Sequence, residues 1–464
     1  LTDADQNVAL GYASLSSDTL GSNSVAIGYA ALVAQNFTTA TNSYNTAVGA
    51  SAGLAVTTGV QNTLVGGLAG GAITTGQNNV SLGAFSLDAE VAGNKSIAIG
   101  TYALSGQSSA TSTDVYNTAV GHSAGQSVTT GVESTLIGGL AGDALTTGQQ
   151  NVALGWNALG TDTLGNRSVA IGHSALDAQN FTTSTNAYNV AVGYSAGTAV
   201  TTGIKNAMFG TLALSASTTG QENTAIGHQA LTTDTKGQRN TAVGHLSLGT
   251  QNFTTATSSY NTGIGYNAGA AVTTGIQNTL IGALAGDVLT DADYNVAVGY
   301  NALTSDTLGG YSTAIGRNAL YTQNFTTATV SHNVAVGYAA GEGITTGVQN
   351  TIIGSSAADA MTTGGNNVFV GYSAAGAGVV TGSSNIGIGV AAVGPLTSGS
   401  NNVSIGEDSG ASLTTGSNNT FLGHDAGRSG SPGGGINTDS NQINLGDENI
   451  TECNIQVDWT IASD

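Results

Sequence analysis

The chain has little charge, one cysteine, two prolines and no long apolar run. Only 7% of its 464 residues are charged, and 7 Lys and Arg against 27 Asp and Glu give a net charge of −20. Nucleic acid is not an expected partner, because phosphate binding needs clustered cations. The single cysteine, Cys453, excludes a disulfide within the chain. No apolar run approaches the roughly 18 residues of a membrane helix, so membrane insertion is not expected.

Glycine is abundant and regularly placed. An apolar residue followed by glycine recurs twenty-five times in one frame, from Gly11 to Gly446, and most of these anchor glycines are 17 residues apart. A fixed period predicts a solenoid, in which each repeat, or rung, is stabilised by stacking on its neighbours. Val190-Ala-Val-Gly193 is typical, and its alternation predicts a short strand in each rung.

The alternation also predicts two different strand faces. We expect the aliphatic side chains on one face and the small residue, usually Ala, on the other. A face of Ala, Ser and Gly is too small to form a broad core and too uncharged to lie wholly in solvent. A second chain packed on the small face is therefore expected, and this favours a homotrimer.

A longer period is superimposed on the rungs. Steps of 21 residues end at Gly49, Gly121, Gly193, Gly265 and Gly337, so four extra residues recur with a superperiod of 72. The five insertions define blocks 1 to 5. In the rung after each insertion a bulky residue replaces the usual Ala two positions before the anchor glycine, at Leu64, Leu136, Met208, Leu280 and Ile352. We expect this residue to fill space beneath the insertion.

These periods predict an all-β chain, an elongated parallel β-solenoid or β-roll of 17-residue rungs, as a homotrimeric fibre. Residues 1–427 are predicted to form the repetitive shaft. Residues 428–464 are predicted to form a Gly-rich hinge and a terminal β segment, in which Ile455, Val457, Trp459 and Ile461 alternate with polar residues.

The rungs resemble a known repeat. Asn23-Ser-Val-Ala-Ile-Gly28 and Lys95-Ser-Ile-Ala-Ile-Gly100 are similar to the head repeat of YadA-like trimeric adhesins, and the resemblance covers residues 7 to 423. It implies a left-handed roll, although those rungs usually have about 14 residues. Two alternatives stay open: the three-sided helix of hexapeptide acyltransferases, which Val120-Gly-His-Ser-Ala-Gly125 resembles, and an intertwined three-chain fibre.

The end of the chain resembles a second family. Residues 441 to 464 are similar to the segment that precedes the intramolecular, endosialidase-type chaperone of phage tail fibres and tailspikes. In that family the chaperone follows a Ser-Asp junction, assembles the trimer and then cuts itself off. The resemblance implies a cleavage junction at Ser463 and Asp464 with the chaperone lacking, an extracellular place on the virion, other tail proteins as partners, and attachment to a host-surface glycan or protein. A bacterial adhesin head is the alternative.

The insertions are the candidate receptor contacts. Gln35-Asn-Phe-Thr-Thr39 recurs in blocks 3, 4 and 5, which gives the candidates Phe37, Phe181, Phe253 and Phe325. An exposed Phe beside Asn and Thr can stack on a sugar ring, or the same Phe can cover the neighbouring rung. The tyrosines that close blocks 1 to 4 are candidates with the same two interpretations: Tyr44, Tyr116, Tyr188 and Tyr260.

Other polar groups carry weaker signals. Five of six histidines follow an anchor glycine, in a column shared with tyrosines, and no His-x-His or Cys-x-x-Cys spacing indicates a metal site. Asp3-Ala-Asp5 and Asp291-Ala-Asp293 are acidic pairs of a kind that also occurs in Ca²⁺ sites. We find no catalytic constellation, since no nucleophile has a recognisable base and no carboxylate pair has a defined cleft. We therefore expect no enzyme activity and no cofactor, and a polysaccharide-cleaving tailspike is a less favoured alternative.

Overall fold

The computed structural model describes residues 4–431, 434–452 and 454. They fall into two compact units. Unit 1 comprises Leu1–Val243 and Asn252–Ser258, and unit 2 comprises Gly244–Gln251 and Ser259–Asp464. The division at residue 427 that the sequence predicts stays a prediction.

Unit 1 is built from short strands, and no helix occurs among its described residues. Its strands are β1 Val8–Leu10, β2 Gly21–Ser22, β3 Val25–Ile27, β4 Thr41–Asn42, β5 Thr46–Val48, β6 Thr63–Val65, β7 Val80–Leu82, β8 Gly93–Asn94, β9 Ile97–Ile99, β10 Thr113–Asp114, β11 Thr118–Val120, β12 Thr135–Ile137, β13 Val152–Leu154, β14 Gly165–Asn166, β15 Val169–Ile171, β16 Thr185–Asn186, β17 Val190–Val192, β18 Ala207–Phe209, β19 Thr224–Ile226, β20 Gly237–Gln238, β21 Thr241–Val243 and β22 Thr257–Ser258.

Unit 2 repeats the same elements, again with no helix among its described residues. Its strands are β23 Thr262–Ile264, β24 Thr279–Ile281, β25 Val296–Val298, β26 Gly309–Gly310, β27 Thr313–Ile315, β28 Thr329–Val330, β29 Val334–Val336, β30 Thr351–Ile353, β31 Val368–Val370, β32 Ile386–Ile388, β33 Val403–Ile405, β34 Thr420–Leu422 and β35 Ile443–Leu445.

Within each unit the three-residue strands pair in parallel and in register with the next rung. In unit 1, Thr118, Ala119 and Val120 of β11 pair with Thr135, Leu136 and Ile137 of β12. The two-residue strands form separate parallel pairs at the insertions, such as β14 with β16 in unit 1 and β26 with β28 in unit 2. The prediction of an all-β parallel solenoid with 17-residue rungs is confirmed.

The small face of the strand is the inside of the solenoid. Ala119 at the centre of β11 is fully buried, whereas Thr118 and Val120 are only half-buried. The same pattern holds in unit 2, where Ala314 is fully buried and Ile315 is 38% exposed. The expectation that a second chain covers the small face is therefore wrong. In these rungs the interior has room only for a small residue at this position, because a buried Leu from a turn, such as Leu104 or Leu320, already occupies the space.

A column of buried asparagines forms one wall of the interior. Asn62 donates from its backbone N–H to Asn45 Oδ1 (2.9 Å) and from Nδ2 to the carbonyl oxygen of Gly76 (2.9 Å). Asn79 repeats both bonds one rung later, to Asn62 Oδ1 and to the carbonyl oxygen of Gly93. Each amide thus satisfies buried backbone groups in two neighbouring rungs, which buried polar groups require.

The anchor glycine is fixed by both conformation and space. Gly121 has a φ of +140°, and a Cβ at this position would lie 2.5 Å from the carbonyl oxygen of Gly138 in the next rung. The side chain is excluded because consecutive rungs approach through their backbones at this column.

The bulky strand residue of each block lies in space left by turn glycines, two for Leu64, Leu136 and Leu280 and one for Met208 and Ile352. The expectation that it fills space beneath the insertion stays a prediction. Leu136 is fully buried, and its two methyl groups lie where side chains on Gly125 and Gly142 would be. Neighbouring rungs carry Leu at the positions of these glycines, as at Leu104 and Leu159, with a small Ala in the strand. The same interior space is therefore filled by a large side chain either from the strand, as with Leu136, or from the turn, as with Leu104 and Leu159.

Candidate recognition surface

The phenylalanines of the insertions are buried. The exposed fractions are 4% for Phe37, 5% for Phe181, 6% for Phe253 and 6% for Phe325. The Phe325 ring lies against Gly309, because a Cβ on that glycine would come within 2.6 Å of it. The premise of an exposed phenylalanine is wrong, and the alternative, that the ring covers the neighbouring rung, describes these residues.

A buried carboxylate lies beneath each of these loops. In block 3, Asp162 Oδ2 accepts from Gln179 Nε2 (2.6 Å), and Oδ1 accepts from the backbone N–H groups of Gly165 (3.0 Å) and Phe181 (3.2 Å). Gln179 in turn donates to Ser168 Oγ and accepts from Asn189 Nδ2. Burial raises the pKa of Asp162 above its ordinary value, although these hydrogen bonds oppose the shift.

This network was not predicted from the sequence. Its signal is present there, because an Asp stands 17 residues before the Gln of the insertion at Asp18, Asp162, Asp234 and Asp306. In block 2 the longer Glu90 takes the place of Asp, and Ser109 takes the place of Phe. Glu90 Oε1 accepts from the backbone N–H of Gly93 (2.7 Å) and of Ser109 (3.0 Å), and Oε2 accepts from Gln107 Nε2 (2.7 Å). In block 2, therefore, an acid that is longer by one methylene group occurs together with a Ser in place of the Phe ring.

The tyrosines of the insertions are exposed. Their exposed fractions are 56% for Tyr44, 52% for Tyr116, 48% for Tyr188 and 50% for Tyr260. Two of them receive a hydrogen bond from a cation one rung earlier. Lys95 Nζ donates to Tyr116 Oη (2.9 Å), and Arg167 Nη1 donates to Tyr188 Oη (2.8 Å). Asp114 and Tyr116 together raise the pKa of Lys95 to about 12. The loops of blocks 2 and 3 therefore present a Tyr–cation pair to solvent.

The column that follows the anchor glycines carries exposed aromatic rings in many rungs, which we call the aromatic ladder. In unit 1, Trp156 and His173 have ring centroids 4.7 Å apart, and His173 and Tyr194 are stacked at 5.3 Å. In unit 2, Arg317 lies over the rings of Tyr300 and Tyr338. The column that the histidines share with tyrosines in the sequence is thus exposed to solvent at these positions.

Several positions singled out in the sequence lie outside the described residues. Asp3 and the junction residues Ser463 and Asp464 are outside the described residues, as are the predicted tail strand positions Ile455, Val457, Trp459 and Ile461. The one three-residue group with metal-ligand chemistry that the described part of the chain contains is His424, Asp425 and Asp447. Arg428 Nη1 donates to Asp425 Oδ1 at 2.6 Å, so the chain itself supplies a positive charge beside this group.

Asp291 and Asp293 each have one oxygen bound by the chain. Thr274 Oγ1 donates to Asp291 Oδ1 at 2.5 Å, and the backbone N–H of Ile276 donates to Asp293 Oδ1 at 2.8 Å. Burial, with a contribution from the charge of Asp291, raises the pKa of Asp293. Asp293 thus lies at a partly desolvated position in block 5, whereas Asp291 is exposed.

The outward face of the strands is apolar in both units. Large side chains at the first or third strand position are at least 36% exposed in many rungs. In unit 1 they are Val8, Leu10, Leu82, Ile97, Leu154, Phe209 and Ile226, and in unit 2 they are Ile264, Ile315, Ile353, Ile388, Ile405, Leu422, Ile443 and Leu445. We call these residues the outward apolar face.

Among the described residues no helix is long and apolar enough to span a membrane. No protein-family model matches the chain, and the comparison with curated proteins gave no significant match.

Proposed function

We propose that the chain is the shaft of a homotrimeric phage tail fibre, which spaces or directly performs attachment to a host cell surface. The outward apolar face carries the proposal of self-association. Monomeric proteins rarely leave an apolar surface of more than a few hundred Å² uncovered, and larger surfaces mark interfaces. A second copy of this chain is the favoured partner, because its rungs present the same side chains at the same spacing.

Two further features support the role on a virion. The rungs resemble trimeric adhesin repeats, and residues 441 to 464 resemble the segment before a tail-fibre chaperone. The insertions add exposed tyrosines at intervals of 72 residues in blocks 1 to 4. Tyrosine supplies a rigid amphipathic contact, which suits recognition of a host glycan or protein. In this role the chain binds other tail proteins and the receptor, and it catalyses no reaction.

Light scattering after size-exclusion chromatography tests the oligomer. We expect three times the chain mass of 45.4 kDa. Ile315→Lys with Ile353→Lys places charges on the outward apolar face of β27 and β30, and we expect this variant to lose the trimer. Val379→Lys is the control, because Val379 is 55% exposed but lies outside the strands. A wild-type monomer at micromolar concentration contradicts the proposal.

Adsorption of the labelled protein to a panel of bacterial strains tests attachment. Replacing Tyr44, Tyr116 and Tyr188 together with Ala is expected to reduce adsorption at least tenfold. Tyr372→Ala is the matched control, since Tyr372 is 62% exposed but belongs to the aromatic ladder. Equal adsorption by both variants removes the binding role of the insertion tyrosines, and adsorption to no strain contradicts the attachment role.

A further inference from the structure

One column of side chains caps backbone N–H groups of the preceding rung. In unit 2, Ser400 Oγ accepts from the N–H of Ser383 (3.1 Å), and Ser417 Oγ accepts from the N–H of Ser400 (3.0 Å). In unit 1 the same bond joins Asn94 Oδ1 to the N–H of Gln77, and Asn166 Oδ1 to the N–H of Gln149, each at 3.0 Å. We call this set the capping column.

Gly310 interrupts the capping column in block 5. It stands where blocks 1 to 4 have Ser22, Asn94, Asn166 and Gln238, so it has no side chain to offer. Asp293 caps Ile276 as the column requires. The N–H of Asp293 itself receives no capping oxygen, and no acceptor for it is found among the described residues.

The missing side chain leaves a depression of about 130 Å³, which we call the Gly310 notch. Its lining includes Asp291, Asp293, Tyr311 and Val330. The second carboxylate oxygen of each Asp accepts no hydrogen bond from the described part of the chain, so the notch offers two anionic acceptors and one N–H donor. Tyr311 and Val330 are 44% and 54% exposed and form an apolar wall.

The wall is held in place by its neighbours. Tyr311 stacks on Tyr294 with ring centroids 4.7 Å apart, and it contacts His332 at 5.4 Å. A wall fixed in this way loses little conformational entropy when a ligand packs on it.

We propose that the Gly310 notch binds one sugar unit without acidic groups, a neutral hexose or a hexosamine. Hydroxyl or ammonium groups of the sugar donate to the carboxylates, charge-assisted bonds that are stronger than neutral ones. The N–H of Asp293 donates to a sugar oxygen, and the C–H face of the ring packs on the apolar wall. The two carboxylates, in a chain of net charge −20, repel uronic and sialic acids. The biological role of the site rests on the proposed attachment function. In that function, the receptor carries a sugar without acidic groups.

The chain provides its own test variants. Gly310→Asn introduces the residue of blocks 2 and 3, which fills the notch and caps Asp293. Asp291→Thr with Asp293→Gln introduces the residues of blocks 2 to 4 and removes both carboxylates. Asn166→Gly is the matched control, because it opens the corresponding position of block 3, where Thr147 and Gln149 replace the carboxylates. Every substitution copies a residue that the same fold already accepts at the equivalent position.

Saturation-transfer difference NMR with glucosamine, N-acetylglucosamine, glucose, galactose, mannose and glucuronate measures the binding. We expect a signal for at least one non-acidic sugar and none for glucuronate. The signal should fall at least fivefold in Gly310→Asn and in the double Asp variant, and should be unchanged in Asn166→Gly. The proposal is overturned when no sugar of the panel shows a signal that Gly310→Asn removes, or when glucuronate binds equally well.

The adsorption assay separates this proposal from the attachment role. A protein that adsorbs to cells but shows no Gly310-dependent sugar signal overturns the notch and leaves the attachment role standing. A protein that shows the sugar signal but adsorbs to no strain leaves the notch standing and overturns the attachment role.

Discussion

Leu136 and its flanking glycines allow the packing of the interior to be tested quantitatively. A Cβ on Gly125 would come within 2.7 Å of Leu136 Cδ1, and a Cβ on Gly142 within 2.8 Å of Cδ2, so the leucine occupies both spaces. Leu136→Ala leaves them empty. For a fully buried leucine, we expect a loss of about 3 to 5 kcal/mol in local stability.

The position of Gly142 allows a rescue. Gly142 has a φ of +57°, and Leu159, the equivalent residue of the next rung, adopts +56°. Gly142→Leu is therefore compatible with the backbone. Alone it collides with Leu136 and should cost about 1 to 3 kcal/mol. Combined with Leu136→Ala it reproduces the next rung, which pairs Ala153 with Leu159, and we expect the double variant to be more stable than either single variant.

Hydrogen exchange followed by mass spectrometry is the appropriate assay, since long repeat arrays depart from two-state unfolding. A loss of about 3 kcal/mol corresponds to exchange on the order of 100-fold faster in peptides that contain β12. Peptides of unit 2 serve as the internal reference. The packing argument is refuted when Leu136→Ala costs less than about 1 kcal/mol, or when the double variant shows no coupling.

Three further predictions concern the backbone, the buried carboxylates and their hydrogen bonds. Gly121→Ala should prevent native stacking around β11 and β12, because its φ of +140° and the carbonyl of Gly138 exclude a side chain; native circular dichroism and exchange protection equal to wild type would contradict this. The raised folded-state pKa of Asp162 means that the folded state binds its proton more tightly than the unfolded chain. Protection of the block 3 insertion should therefore be highest below the unfolded pKa of about 3.9 and fall as pH rises through the folded pKa, and a protection that rises instead refutes the assignment. Asp162→Asn should abolish this pH dependence, and it should cost about 1 to 3 kcal/mol of stability, because the NH₂ group of the new Asn would face the NH₂ group of Gln179 and two donors cannot bond. A variant that keeps the wild-type pH profile shows that another group is titrating.

The periodic features could be predicted from the sequence because they are one-dimensional. The anchor glycines mark the end of each strand, and equal spacing is sufficient to put Thr118 beside Thr135. The Asn column has the same origin, because a residue at a fixed place in every rung meets its equivalent in the next.

The direction of the strand faces was not predicted, because the pattern records alternation and not the width of the interior. A large side chain from the turn, such as Leu104, leaves space only for Ala119 beside it, and so the aliphatic residues face outward. The same limitation applies to Leu136, whose reason lies in Gly125 and Gly142 of adjacent rungs.

The sequence located the insertions correctly, but it did not distinguish their Phe from their Tyr, because both fitted either a receptor contact or a cover over the neighbouring rung. The difference lies in the buried carboxylate. The backbone N–H of Phe181 donates to the buried Asp162, which holds Phe181 near the interior. Tyr188 follows later in the loop, makes no such bond, and accepts a hydrogen bond from Arg167 on the surface. A search for acids spaced by one rung from Gln179 would have separated the two aromatic residues.

The pairing of Leu136 with its two glycines, and of Asp162 with Gln179, has a consequence for how the molecule changes length. Each of these pairs is completed between neighbouring rungs. The acid and its Gln recur 72 residues later as Asp234 and Gln251, and the place of Leu136 is taken by Met208, with Gly197 and Leu214 at the positions of the two glycines. Recombination that deletes or duplicates one whole block joins a rung to the equivalent of its former neighbour, so each buried partner is replaced by the residue that holds the same place in another block. Loss of a single rung leaves a leucine without its glycines or an acid without its amide. Stable length variants of this chain are therefore expected to differ by whole blocks of 72 residues and not by single rungs.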